Sequence, residues 1–170
     1  MPGILYKHKK MVREATPQDY AIIQAIALDC FDHNVAKISN LTIARFMMKR
    51  YYRVSAIEKR LKDGNILIVD EENGQINGFF DMQKGLYLAN IFVSPKMQRK
   101  GIGHRLMEEG IDRALAKYPE TTLITLDATK DAIKFYEKFG FVFLDRTKSQ
   151  FGVDFYPMSK TIEKNIENKE

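Results

Sequence analysis

The sequence predicts an α/β protein with a central mixed sheet of about seven strands flanked by about four helices, in a single domain. Three observations predict it. Short apolar, β-branched runs alternate with longer amphipathic stretches in the order β-α-α-β-β-β-α-β-α-β-β. Asn73-Gly74 lies between two such runs, a strong hairpin signal. An apolar run ending at Val93 meets Pro95, and Gly101-Ile102-Gly103 then opens an amphipathic segment.

Each element has its own local reason. The regular pattern starts at Met11, so residues 1–10 read as a loosely ordered extension, and Val12 to Ala15 as a first strand. Thr16-Pro17-Gln18-Asp19 is a helix start: a capping hydroxyl, a proline tolerated at the first helical position, and an acid in the first turn. Ile22, Ile23, Ile26 and Ala27 continue that helix to about Cys30. Residues 31–40 read as a polar loop. Ile43, Met47, Tyr51, Val54, Ile57 and Leu61 form an approximate stripe, compatible with one helix or two, which Gly64 stops.

Strands follow over residues 65–70, 75–82 and 85–93. The third helix runs from about Gly101 to Lys117, ended by Pro119. Its face of Gly103, Leu106, Met107, Gly110, Ile111 and Ala114 suits close packing on a sheet. A strand at 123–126, a helix at 131–139 closed by Gly140, and strands at 141–144 and 153–158 complete the order. The domain is placed at 11–160 and a charged tail at 161–170.

Composition narrows the function classes. At 170 residues with 45% hydrophobic and 29% charged residues, the chain fits one globular domain. No apolar stretch approaches the ~20 residues that span a bilayer, and the N-terminus has no signal-peptide core. The single cysteine, Cys30, forms no internal disulfide and no metal cluster. A cytoplasmic protein without membrane contact is expected. Net charge is +5. Residues 45–63 carry seven Lys/Arg (Arg45, Lys49, Arg50, Arg53, Lys59, Arg60, Lys62) against Glu58 and Asp63. A solvated helix face explains such a run. An anionic partner such as RNA is the other reading, with no RNA-binding motif beside it.

The turn after Val93 is the most informative stretch. A helix start leaves four N–H groups without intrahelical partners and adds about half a positive charge. Glycines let a phosphate approach, and Arg99 and Lys100 add charge. A phosphate-bearing ligand is therefore expected. The loop lacks the third glycine of a dinucleotide fingerprint, and no Gly-Lys-Ser/Thr triplet occurs in the chain.

Gln98, Gly101 and Gly103 stand at the fixed positions of the acyl-CoA loop of the GNAT acetyltransferase superfamily, Q/R-x-x-G-x-G/A, which this segment resembles. Ala132, Tyr136 and Gly140-Phe141 resemble the later family motif, A-x-x-x-Y-x-x-x-G-F. The element order is also similar. The resemblance extends more loosely from about Met11 to Lys160.

That resemblance implies a GNAT-like fold and an N-acetyltransferase using acetyl-CoA. Its cofactor arm would lie in a wedge between the strand ending at Val93 and the one ending near Asp127, bound by backbone groups of Ile91, Phe92 and Val93 as an added strand would be. Amides of Arg99, Lys100, Gly101, Ile102 and Gly103 would hold the pyrophosphate. Gln98 belongs to the same loop, and His104 is placed to approach a phosphate or to lie exposed. Thr129 stands where many members have an asparagine that contacts the arm.

Tyr136 occupies the position of the family's proton donor. A phenol is protonated at neutral pH and can protonate the departing thiolate. Tyr136 is therefore the expected general acid; Ala132, Phe135, Tyr136 and Phe139 also form one helical stripe, so core packing is the other reading.

The base stays open among Tyr87, Asp81 and Asp127. Asn90 is polar within an apolar strand but cannot act as a base. Asp29, Asp32, His33 and Asn90 are candidates for substrate contact, because the first interhelical region often lines the acceptor site in this family. The expected acceptor is a primary amine on a small molecule or peptide. Two other functions stay open: acetylation of aminoacyl-tRNA in the manner of a toxin, and a module that binds acyl-CoA without turnover. A homodimer is compatible with the resemblance. No metal is expected.

Overall fold

The computed structural model describes residues 9–35 and 42–164. The predicted extension therefore lies mostly outside the described residues, as do 36–40 of the predicted loop and 165–170 of the predicted tail. The elements in chain order are β1 (Lys10–Glu14), α1 (Tyr20–Val35), α2 (Thr42–Tyr51), α3 (Val54–Lys62), β2 (Ile66–Glu72), β3 (Gln75–Met82) and β4 (Tyr87–Val93). Then come α4 (Ile102–Lys117), β5 (Leu123–Ala128), α5 (Ile133–Glu137), β6 (Val142–Phe143), β7 (Lys148–Gln150) and β8 (Val153–Thr161).

The strands form one mixed sheet in the order β1-β2-β3-β4-β5-β8-β6, with β7 added on β8. Ile66–Val69 are all buried because both faces of the sheet are covered. Ile66, Ile68 and Phe80 join the core under α4, with Leu106 and Met107. Their alternates Leu67, Val69 and Phe79 face α1 and α3, with Ile23, Ala27 and Ile57. Gly110 lets α4 sit close to the sheet: a Cβ there would lie 2.6 Å from ring carbons of Phe80.

Two expectations change, and one left open is resolved. The α1 helix does not stop near Cys30. It continues through Val35, because Phe31 is buried on the inner face while Asp32, His33 and Asn34 take more exposed positions. The second helical region is two helices, parted at Tyr52-Arg53. A further strand, β7, joins the sheet.

β4 and β5 run parallel but pair only at Tyr87–Thr125 and Leu88–Leu126. Beyond Leu88 the two strands part. A bulge marks the same place: Asn90 pairs with Asp81 and Leu88 with Met82, so Ala89 is the extra residue on β4.

Candidate functional site

The loop between β4 and α4 is built from turn chemistry. Pro95–Met97 form a single 3₁₀ turn, and Arg99 and Gly101 take positive φ of 61° and 80°. Gly101 is the N-cap of α4 and contributes no side-chain cap. The first intrahelical bond runs from Arg105 N–H to Gly101 O at 3.1 Å. The amides of Ile102, Gly103 and His104 precede it and belong to the free donors of a helix start. Gln98 Nε2 donates to Val93 O at 3.2 Å, tying the loop to the end of β4. The His104 side chain turns along α4, 3.1 Å from Glu108 Oε1, so only its backbone faces the turn's free donors.

The gap between β4 and β5 opens into a cavity of about 410 Å³. Its floor is β4 (Tyr87, Ala89, Asn90, Ile91, Phe92) with Asp127 and Thr129. Tyr136 and Ala132 close one side. Cys30, Phe31 and Asn34 of α1, Ala44, Met47, Met48 and Tyr51 of α2, and Phe151, Val153 and Phe155 of the β7–β8 hairpin form the rest. An adjoining cavity shares Asn34, Thr129, Ala132 and Val153 and reaches Gln98, so the loop and the cavity form one continuous groove. A larger, open depression of about 780 Å³ lies between β1 and α4, among Lys10, Arg105 and Glu109, and includes none of the predicted site residues.

Tyr136 is buried, and burial raises its hydroxyl above the usual phenol range, so it stays protonated. Tyr87 is also raised, first by burial and then by the charge of Asp127, to which its hydroxyl donates at 3.1 Å. Lys148 Nζ lies 3.2 and 3.1 Å from the two oxygens of the same carboxylate. Asn90 Nδ2 donates to the Tyr52 hydroxyl at 2.7 Å. Asp81, paired with Asn90 across β3–β4, is fully buried below the cavity floor. Burial pushes its carboxyl up to about 6, against the pull of Arg60 and of the Tyr52 and Tyr51 hydroxyls. Cys30 is a buried thiol pushed up to about 12 by burial, and its Sγ donates to Val93 O at 3.2 Å. It is a structural donor, with no activating partner.

The predicted residues divide clearly. Ile91, Phe92, Thr129, Tyr136 and Asn90 share the cavity, and Gln98, Arg99, Lys100, Gly101, Ile102, Gly103 and His104 form the adjoining turn, with Val93 at the joint. Thr129 precedes the Lys130–Ala132 turn without a side-chain cap bond. Asp29, Asp32 and His33 are not brought to the cavity. On a continuous helix, Cys30 and Phe31 pack inward and the exposed Asn34 borders the cavity, while these three do not line it. Asp32 is instead bound to Arg45, 2.7 and 3.0 Å away, joining α1 to α2.

The basic run is partly neutralised in the same manner: Arg45, Lys59 and Arg60 pair with Asp32, Asp63 and Asp81. Sequence reasoning missed Lys148 and the α2 and β7–β8 walls. Only the alternation of Val153 and Phe155 carried any signal for them. Among the described residues no group of three or more His, Cys, Asp or Glu is placed to hold a metal ion, and no helix is long and apolar enough to cross a membrane.

Comparison with known proteins gives a consistent result. The family model described as Acetyltransferase (GNAT) domain matches residues 33–162. The peptidyl-lysine N-acetyltransferase YiaC of Escherichia coli (strain K12) is 37% identical over 75 residues, which is 44% of this chain and 49% of that protein. The match thus spans about half the length of that relative.

Among solved structures, a GCN5-related N-acetyltransferase from Rhodopseudomonas palustris superposes with a TM-score of 0.75 at 20% identity, over 94% of this chain and 100% of that one. The PaiA N-acetyltransferase of Thermoplasma acidophilum, in complex with coenzyme A, gives 0.73 at 16% identity over 91% and 99%. YncA of Salmonella typhimurium, a putative acetyltransferase with acetyl-CoA, gives 0.70 at 21% identity over 92% and 95%. At these identities the likeness is one of fold.

Proposed function

The chain belongs to the GNAT acetyltransferase family, and on that premise we propose that it moves an acetyl group from acetyl-CoA directly to a primary amine of a peptide or small molecule. One observation carries this reading. The parted edge of β4 beyond Leu88 and the buried Tyr136 line one cavity, and the adjoining cavity reaches Gln98 in the turn that leads to the uncapped start of α4.

The residues present fit the group. The amides of Ile102, Gly103 and His104 are donors for a pyrophosphate, with Arg99 and Lys100 exposed beside them. The stretch from Ala89 to Phe92, which has no partner on the β5 side, offers backbone groups to an extended amide-bearing arm. Bound there, acetyl-CoA supplies an activated acyl group on a good leaving sulfur.

The protein holds the amine and the acyl group together, replacing a chance encounter with a fixed one. Apolar walls from α2 and the β7–β8 hairpin exclude water. Tyr136 holds its proton at neutral pH and delivers it to the departing sulfur.

The relative YiaC is named as acting on peptidyl lysine, so a lysine side chain in a peptide is the first acceptor to try. The test is acetyl transfer across peptides, small amines and aminoacyl-tRNAs, read by the mass of the product. Acetylation of a peptide or small amine is the expected result. Acetylation of aminoacyl-tRNA alone would overturn the acceptor class. Acetyl-CoA binding with no product from any class would favour a non-catalytic acyl-CoA module.

A further inference from the structure

We propose that Asp127 receives the proton of the acceptor ammonium, and that Lys148 occupies this carboxylate until the acceptor's cation takes its place. The proposal rests on the acetyl-transfer reading of the groove and names how that site prepares its nucleophile.

Asp127 is the only charged side chain among the described residues lining the cavity. A cationic amine entering an otherwise uncharged space is drawn to it. The carboxylate sits one residue past Leu126, the last β5 residue paired with β4, and so at the point where the strands part. The other acids do not qualify. Asp81 is sealed beneath Tyr52, and Asp29 and Asp32 of α1 do not line the cavity.

Every ionisable group facing Asp127 has a definable part. From β4, the Tyr87 hydroxyl donates to Oδ2 at 3.1 Å and orients the carboxylate. From β7, Lys148 Nζ lies 3.2 and 3.1 Å from its oxygens, and more than half of that side chain is exposed. From β8, the paired residue is Pro157, which does not titrate. Tyr136 and Tyr51 lie further round, close enough to influence Tyr87.

A carboxylate has about four acceptor positions, so Tyr87 and Lys148 leave room for an ammonium. The exposed Lys148 is the partner that can withdraw. It already shows that a primary ammonium is accommodated on these oxygens.

The step balances. One N–H proton of the ammonium passes to an Asp127 oxygen. The freed nitrogen lone pair forms the N–C bond to the acetyl carbon while the C–S bond breaks, and the sulfur takes the phenolic proton of Tyr136. The acylated nitrogen, which still carries two protons, gives one to the Tyr136 phenolate and becomes the neutral amide, and Asp127 loses its proton to solvent.

Two variants test this, with acetyl-CoA affinity measured by calorimetry alongside turnover. Asp127→Asn keeps the size and an acceptor for Tyr87. It should lower kcat/KM for an amine at pH 7 by about 100-fold or more. The deficit should narrow as pH approaches the pKa of the acceptor amine, and acetyl-CoA affinity should be unchanged. Lys148→Met removes the cation that competes for the carboxylate, so it should lower KM for the amine severalfold while acetyl-CoA affinity is unchanged.

An Asp127→Asn deficit that stays constant across pH, or no deficit at all, would overturn the proposal. So would a KM for the amine that Lys148→Met leaves unchanged. Wild-type protein that neither binds acetyl-CoA nor transfers acetyl would instead refute the underlying reading of the groove.

Discussion

The Asn90 amide nitrogen donates to the Tyr52 hydroxyl at 2.7 Å, linking the bulged edge of β4 to the turn between α2 and α3. Tyr52 is fully buried, and its hydroxyl also supports the carboxyl of Asp81. With its Nδ2 bound on the Tyr52 side, Asn90 has its carbonyl oxygen left over for another donor. One buried phenol thus sets the polarity of a cavity-lining side chain.

Tyr52→Phe removes that link. Buried Asp81 and half-buried Asn90 each lose a partner, so the variant should be about 1–3 kcal/mol less stable. Urea unfolding measures this. A stability equal to wild type would mean that neither Asn90 nor Asp81 depends on Tyr52.

Asp81 gives a pH signature. Its carboxyl rises from 3.8 to about 6 on folding, so the native state binds more protons than the unfolded chain between those values. This group's contribution to stability is full below pH 4 and is lost as pH rises to about 6. Asp81→Asn should therefore gain stability relative to wild type as pH rises across that window, with a flat difference above it. Chemical denaturation at pH 4, 5, 6 and 7 gives the answer. A difference that does not change with pH would show that Asp81 titrates alike in both states.

Gly110→Ala places a methyl 2.6 Å from the Phe80 ring, whose side chain is fully buried. Over-packing of this kind costs about 1–3 kcal/mol, read as a lower denaturant midpoint with an unchanged slope. An unaffected midpoint would mean that α4 stands further from β3.

Gly101→Glu puts bulk and negative charge at the cap of α4, where φ is +80°. Charge-assisted hydrogen bonds are worth about 1.5–3 kcal/mol each. Losing even one corresponds to about 10–100-fold in affinity. Acetyl-CoA binding by calorimetry should weaken by at least that much. Unaltered binding would place the phosphates elsewhere.

The elements around the loop were legible because each boundary has a local chemical cause. Asn73-Gly74 closes the β2–β3 hairpin, and Gly101 starts α4 within a residue of the predicted position. What was not legible depends on distant partners. Asp32, His33 and Asn34 look like loop residues in sequence, yet they continue α1 as its more exposed side, while Phe31 packs inward. Lys148, Ser149 and Gln150 are all exposed and show no alternation, so β7 exists only through its pairing with β8.

The site divides along the same line. The turn motif and Tyr136 were readable as residues. The ionic pair of Lys148 with Asp127, and the burial of Asp81 against Arg60, arise from chain segments that only the tertiary fold brings together.

The central claim is that this groove transfers acetyl with Tyr136 as the proton donor, and the direct measurement is turnover of Tyr136→Phe beside its acetyl-CoA affinity. Turnover should fall by about 10²–10⁴-fold while acetyl-CoA still binds as in wild type. Turnover equal to wild type, with binding intact, would contradict it.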